Sequence, residues 1–561
     1  MQKILFVLLT VGLVCICGNA AGEEIQAEKQ NSLPPVEESG NRLSSVGKIY
    51  VNRFHLEGNT VFADAELAVI TAAYEQREIT AEELQEVAQK ITVFYVDRGY
   101  VNSGAVIPDQ EVQGGNITVQ IMEGKLSGTD IINETWLRKR YVLSRLASVT
   151  DSTSPLNVIH IQDRLKLLKE DPRIDNINAS LKSGLERGDA FLELEVIEAR
   201  PYNIGLSFNN YDSPSIGAYR GELNLSHMNL TGWGDSLNLR YALTEGLDEY
   251  FGSYTIPLTR WGTTLSMETE RTESVIKADP FDDLDIESDV TTYAAELRHP
   301  FYKTLSREFA MGLRFERRKS ETTLMNEGFT FSSGIDNEGF TFSPDGDRDD
   351  GISRVSVLRF SQEWVDRSMV QVLAARSVFN FGLDTLDATI NDNLPDGEFF
   401  FWLGQFQWLR KFAFLDSQAL FRFDIRLSND PLLSMEKFEI GGSSTVRGYR
   451  ENQMTSDNGL ITSLEWRIPV WHLKIPGLST KPADGLVQIC PFYDYGKGWN
   501  TDMEDPSPDN LSSVGLGARW TVNEKINAQM YWGHALRDAD VSTEYDLQDD
   551  GIHFEISAFL F

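Results

Sequence analysis

The sequence predicts a transmembrane β-barrel of about sixteen antiparallel strands over residues 200–561, preceded by two small α/β modules. Three observations lead there. From residue 200 onward apolar and polar residues alternate at period two. Leu237, Leu239, Tyr241 and Leu243 alternate with Asn238, Arg240, Ala242 and Thr244. Phe421, Phe423, Ile425 and Leu427 alternate with Arg422, Asp424 and Arg426, and Leu464, Trp466 and Ile468 alternate with Glu465 and Arg467. A soluble sandwich seldom points Arg and Asp inward along whole strands, whereas a membrane barrel sets apolar residues toward lipid and polar ones toward its lumen. Second, the connections come in two kinds: short ones at 231–235, 259–262 and 524–525, and long acidic ones at 279–289, 325–350 and 501–510. Short turns at one rim and long loops at the other are the asymmetry of outer-membrane barrels. Third, no stretch beyond the N-terminus reaches the roughly 18–20 apolar residues that a spanning helix needs, and mean hydropathy is −0.28.

The first twenty residues read as a signal peptide. Lys3 supplies the charge, residues 4–17 the apolar core, and Gly18-Asn19-Ala20 a small-residue cleavage site. Cys15 and Cys17 leave with it, so Cys490 is alone and no internal disulfide is expected. A net charge of −33 argues against a nucleic-acid partner, because phosphate binding needs a basic face. Residues 21–47 are polar, contain proline and lack a steady apolar period, which suits a linker.

Residues 48–124 form the first module. An extended run at 49–56 passes through the turn at 57–60. Thr80 and Glu83 then form a capping box that opens a helix with Leu84, Val87, Ala88, Ile91 and Phe94 on one face. Gly99 stops that helix, and short strands follow near 103–107 and 117–122. Residues 125–199 repeat the pattern more loosely. Ser154 and Pro155 read as N-cap and N1 of a helix whose buried stripe is Val158, Ile161, Leu165 and Leu168. Asp171-Pro172 ends it, and a hairpin of 176–181 and 191–197 follows.

Within the barrel the most informative stretch is 441–450, GGSSTVRGYR, in a long gap between strand-like runs at 417–427 and 460–470. Gly448 permits a tight tip from which Arg447 projects between Val446 and Tyr449. Long loops of this kind tend to be functional. Further on, Phe492-Tyr493-Asp494-Tyr495-Gly496 sets one acid in an aromatic strand. Val487, Ile489, Tyr493 and Tyr495 share the parity assigned to lipid, and Cys490, Phe492 and Asp494 the parity assigned to the lumen.

This pair of motifs, GG-x-x-TVRGY and F-x-D-x-G, resembles the outer-membrane partner of bacterial two-partner secretion, the TpsB type of the hemolysin/adhesin secretion-activation family. GYVNSGAVIPDQ in the first module and LLKEDPRI in the second resemble that family's two POTRA domains. The resemblance implies that the sixth external loop folds back into the lumen and that Arg447, within Val446, Arg447, Gly448 and Tyr449, pairs with Asp494, flanked by Phe492 and Gly496. It implies docking of an unfolded secreted exoprotein on the POTRA domains, near Gly99, Tyr100 and Val101, and export through the lumen. It also implies residence in the outer membrane of a Gram-negative bacterium, contact with its lipids, and insertion by the barrel assembly machinery. Residues 21–47 would then be either a linker or a plug helix. Two alternatives stand beside secretion: an assembly factor that inserts other barrels, and a passive porin. Two periplasmic modules disfavour the porin.

Nothing in the chain calls for catalysis. The seven histidines are dispersed, and HExxH, G-x-S-x-G and P-loop motifs are lacking. No cofactor and no metal are expected. The near-repeat at 326–336 and 337–347 ends in the acidic run 345–350, which breaks the EF-hand pattern: Asp350 stands where glycine is required and Ser356 where the final Glu should be. The chain ends at Phe561 with Phe559 two before it, as outer-membrane barrels do. Ser557 and Glu555 share that face, leaving the register of the last strand open.

Overall fold

The computed structural model describes residues 48–560, apart from 111, 113, 279–281, 283–284, 325–326, 329–350, 392–394 and 540–544. The signal segment, residues 21–47, nearly all of the 326–347 repeat, part of the 279–289 connection and Phe561 therefore lie outside the described residues. The chain divides into two compact units at the junction of Ala199 and Arg200.

In the first unit, β1 (Ile49–Val51) and β2 (Arg53–Glu57) are split at Asn52, whose N–H turns aside to the Gly115 carbonyl. Helix α1 (Asp64–Thr71) leads to β3 (Arg77–Ile79), a strand the periodicity does not foretell. Gln76, at positive φ, reverses the chain and donates its N–H to the Val51 carbonyl, and β3 pairs with β1. Helix α2 (Ala81–Val96) has its capping box in place, with Thr80 Oγ1 accepting from the Glu83 N–H and Glu83 Oε2 accepting from the Thr80 N–H. Such a cap contributes about 1 kcal/mol. Leu84, Val87, Ile91 and Tyr95 bury one face of α2 against β4 (Gly104–Val106) and β5 (Asn116–Met122), which form a three-stranded sheet in the order β2-β5-β4.

Glu123 fastens this module together. Its carboxylate accepts from the N–H and hydroxyl of Thr60, from the Val61 N–H at 2.9 Å and from the Tyr95 hydroxyl at 2.9 Å. Burial pushes the Glu123 carboxyl up, but these hydrogen bonds outweigh it and hold the group below its usual 4.5. A depressed carboxyl contributes stability above its unfolded pKa and loses it as pH falls through the folded value. Fragment 48–199 is therefore expected to lose stability below about pH 4.5. Glu123→Gln should lower its stability at pH 7 by about 1–2 kcal/mol and flatten that acid limb. Chemical denaturation at pH 7 and pH 3.5 checks this, and an unchanged acid limb would remove Glu123 from the account.

Next, β6 (Lys125–Ile131) runs parallel to β8 (Asp189–Glu198), which pairs antiparallel with β7 (Ile174–Ser183). Helices α3 (Lys139–Leu146) and α4 (Val158–Lys169) cover the sheet over a core that includes Ile131, Leu137, Leu146, Ile161 and Leu194. The start of α4 corrects the sequence reading. Its N-cap is Asn157, whose side chain accepts from the Ile159 N–H at 2.9 Å, and not Ser154. Pro155 and Leu156 cannot enter the helix because Leu156 is buried and its N–H is held by the Gly124 carbonyl at 2.8 Å.

The second unit is a closed antiparallel barrel. Its first half comprises β9 (Tyr202–Asn209), β10 (Arg220–His227), β11 (Ser236–Leu243), β12 (Leu247–Pro257), β13 (Thr264–Val275), β14 (Glu287–Lys303) and β15 (Arg307–Leu324). The two-residue β16 (Glu327–Gly328) pairs antiparallel with the end of β15. Then come β17 (Ile352–Arg367), β18 (Gln371–Gly382), β19 (Phe400–Lys411) and β20 (Gln418–Ser428). A short hairpin of β21 (Phe438–Ile440) and β22 (Met454–Ser456) stands apart from the wall as its own sheet. The wall resumes with β23 (Asn458–His472), β24 (Leu486–Trp499), β25 (Asn510–Thr521), β26 (Ile526–Ala535) and β27 (Ile552–Phe559). Without β16 and the hairpin, sixteen strands close the ring among the described residues, and β27 pairs with β9. No described helix is long and apolar enough to cross a membrane.

The alternation sorts the wall into two faces. Leu239, Leu243, Leu427, Leu464, Ile489 and Tyr493 are exposed on the outside, while Ser463, Glu465, Arg467, Phe492 and Asp494 are buried inside. The last strand resolves the same way: Ile556 faces out, His553 is buried within, and Glu555 accepts from Gln529 Nε2 at 2.7 Å. Two connections depart from the expected asymmetry. Only residues 244–246 join β11 to β12 on the long-loop rim, and 473–485 join β23 to β24 on the short-turn rim.

Candidate functional site

The site is built where the loop between β20 and β23, the sixth on the long-loop rim, meets the inner wall. Strand register prepares the wall. Ser463 lies opposite Asp494 and Glu465 opposite Phe492, so β23 and β24 present two acids, a hydroxyl and an aromatic ring as one square patch. On β25, Gly515 leaves room for the Phe492 ring, and Gly517 for Tyr531 from β26; a Cβ at either position would lie about 2.2–2.3 Å from ring atoms.

Arg447 fills that patch. Its Nε and Nη2 bind the two Asp494 oxygens at 2.8 and 2.9 Å, and its own backbone N–H reaches Asp494 Oδ2 at 3.1 Å. Nη1 meets Glu465 Oε2 at 2.5 Å, and Nη2 reaches the Ser463 hydroxyl at 3.3 Å. The guanidinium carbon lies 3.7 Å from the centre of the Phe492 ring and 4.7 Å from that of Tyr531. Bidentate, charge-assisted bonds flanked by rings are the geometry arginine is suited to and lysine is not. Glu465 also accepts from Arg467 Nε at 2.7 Å. Arg447 is 2% exposed and Asp494 0%, so the pair is dry. The packed rings and the loop itself cover both charges.

The rest of the tip is held by shape. Gly441, Gly442 and Gly448 all adopt positive φ. At Gly448 a Cβ would approach the Gly533 backbone to 2.9 Å, and at Gly551 one would come within 1.9 Å of the Gly533 carbonyl. Three glycines thus let loop and wall backbones touch. Val446 is fully buried and packs over Gly496, with Ile440, Tyr449, Met454, Ile461 and Leu511 completing a small apolar cluster. The Tyr449 hydroxyl stands 2.8 and 3.1 Å from the carbonyls of Ser512 and Arg537, which share its one proton. Arg450 grips Asp549 through two bonds of 2.5 and 2.7 Å. The structure therefore brings Val446, Arg447, Gly448, Tyr449, Phe492, Asp494 and Gly496 into one place.

Gly99, Tyr100 and Val101 lie in the other unit. A Cβ on Gly99 would meet Asn157 Oδ1 at 2.5 Å, and the Gly99 carbonyl accepts from the Val158 N–H. Tyr100 packs edge-on against Phe62 and Tyr95, and only Val101 is well exposed. Sequence reasoning missed Glu465 as a partner of Arg447. Its inward parity on the 460–470 run was the available signal, but only register shows that it stands beside Asp494.

The family model for haemolysin secretion/activation protein ShlB/FhaC/HecB matches residues 188–334 and 353–520, and the ShlB-type POTRA domain model matches 49–124. The chain belongs to this family. It is an outer-membrane transporter whose POTRA domain precedes a β-barrel of sixteen strands. Among similar proteins is the heme/hemopexin transporter protein HuxB of Haemophilus influenzae. It is 23% identical over 475 residues, which is 81% of this chain and 77% of the relative. HuxB of strain 86-028NP is 29% identical over a shorter stretch of 174 residues, 31% of each protein. In fold, CdiB from Escherichia coli superposes with a TM-score of 0.65 at 17% identity, covering 94% of both chains.

Proposed function

We propose that this family member docks one unfolded exoprotein in the periplasm and passes it through the barrel lumen, with the sixth loop as the part that must move. The observation that carries the reading is the seat of that loop: its tip is fixed inside the barrel by a buried ion pair and by hydrogen bonds, interactions that can be remade. Docking uses sheet edges. In the order β6-β8-β7 the ten-residue β7 is an edge strand, and in β2-β5-β4 both β2 and β4 are edges. Strand addition there supplies backbone hydrogen bonds with little demand on cargo sequence, and Gly99, Tyr100 and Val101 mark the joint beside which it occurs. No step requires catalysis or a cofactor, and folding of the exoprotein outside the cell supplies the direction of movement. Lipids surround the exposed apolar band, and the barrel assembly machinery inserts the chain.

The alternative, insertion of other barrels, predicts a different loss. Culture supernatants compared with and without this chain are expected to differ by one large protein. A general depletion of outer-membrane barrels, with the supernatant unchanged, would favour insertion.

A further inference from the structure

Ahead of its tip, the sixth loop carries a second buried charge. Glu436 closes the 3-10 turn Ser434–Glu436 and is 4% exposed. Its carboxylate receives Arg359 Nη2 from β17 at 3.0 and 3.1 Å, and Arg318 Nη1 from β15 stands 3.5 Å away. The backbone of the turn is gripped as well. Arg318 Nη1 donates to the Met435 carbonyl at 2.7 Å, and Arg426 from β20 donates to the Glu436 carbonyl. These arginines are themselves positioned: Glu316, fully buried, accepts from Arg314, Arg318 and Arg359 at 2.9, 3.0 and 3.2 Å, and Asn380 accepts from Arg359 at 2.8 Å. Leu432 and Leu433 pack beside them on Val355, Val357, Phe399 and Phe401.

Taking the loop as the moving part, as proposed above, we infer that Glu436 is a second positioning residue, which holds the ascending limb of the loop independently of Arg447. Its polarity is the reverse of the tip's. At the tip a loop cation sits among wall acids on β23 and β24; at Glu436 a loop anion sits among wall cations on β15, β17 and β20. The two anchors share no residue, so each can break while the other holds, and full release requires both to open. A glutamate clasped by two guanidiniums is needed for this, since a neutral side chain of the same shape keeps hydrogen bonds but gives up the charge.

The test is single-channel recording of the purified full-length protein in planar bilayers, with no exoprotein present. A failure of the export reading therefore leaves this measurement intact, and a failure here leaves export untouched. Glu436→Gln is expected to raise the fraction of time spent open by about tenfold, with Glu436→Asp intermediate and the barrel still heat-modifiable on gels. Combined with Arg447→Ala, the two increases should multiply, as separate contacts do. Wild-type opening in a heat-modifiable Glu436→Gln barrel overturns the inference, as does a double variant no more open than Arg447→Ala alone. If Glu436→Gln fails to assemble, Glu436→Asp, whose carboxylate is drawn back by one methylene from both guanidiniums, decides: increased opening supports the second anchor and wild-type opening refutes it.

Discussion

Arg447→Ala is expected to abolish most export while leaving an assembled barrel, and to do more damage than Asp494→Ala. The geometry sets the order. Removing Arg447 strands the Asp494 carboxylate in a dry site and takes one of Glu465's two arginines, leaving it Arg467. Removing Asp494 leaves the guanidinium with Glu465 and Ser463. Breaking a buried pair costs about 3–5 kcal/mol, and the burial of both partners places this pair near that range and not near the roughly 1 kcal/mol of an exposed one. Arg447→Ala with Asp494→Ala should be little worse than Arg447→Ala alone, because the second change removes a charge already without its partner. Secreted exoprotein and protease sensitivity of the loop, measured for both singles and the double, check the cycle. Additive defects would show that the two residues do not act as a pair.

Deletion of residues 48–124 is expected to abolish export outright with the barrel still inserted and heat-modifiable. That module owns its core, from Val51 to Ile121, and the barrel draws none of its closure from it. Its loss should remove a docking edge without unfolding the wall. Normal export by the truncated protein would transfer docking to the remaining edges, β7 foremost.

What could be read in advance was local. The Thr80–Glu83 capping box spans four residues and needs no tertiary knowledge. The inward run of Glu465 and Arg467 follows from period two alone. Each miss had a distant cause. Ser154 looked like an N-cap until the Gly124 carbonyl, thirty residues earlier, claimed the N–H of Leu156 and moved the cap to Asn157. Glu436 carries no motif, and its partners stand 77 and 118 residues away on strands whose neighbourhood exists only once the barrel closes. The burial of the Arg447 pair is out of a sequence's reach for a related reason: it belongs to packed rings and a seated loop, not to any one strand's alternation.

The contact of Gly448 with Gly533 and Gly551 sets how much sequence change the seat tolerates. Backbone meets backbone there with no side chain between, and a Cβ at any of the three would come within 3 Å of the facing backbone. The seat of the tip therefore depends on hydrogen atoms where every other residue type carries a carbon. A single added methyl at one of these three positions is enough to prop the loop off the wall, however well its ion pair is matched.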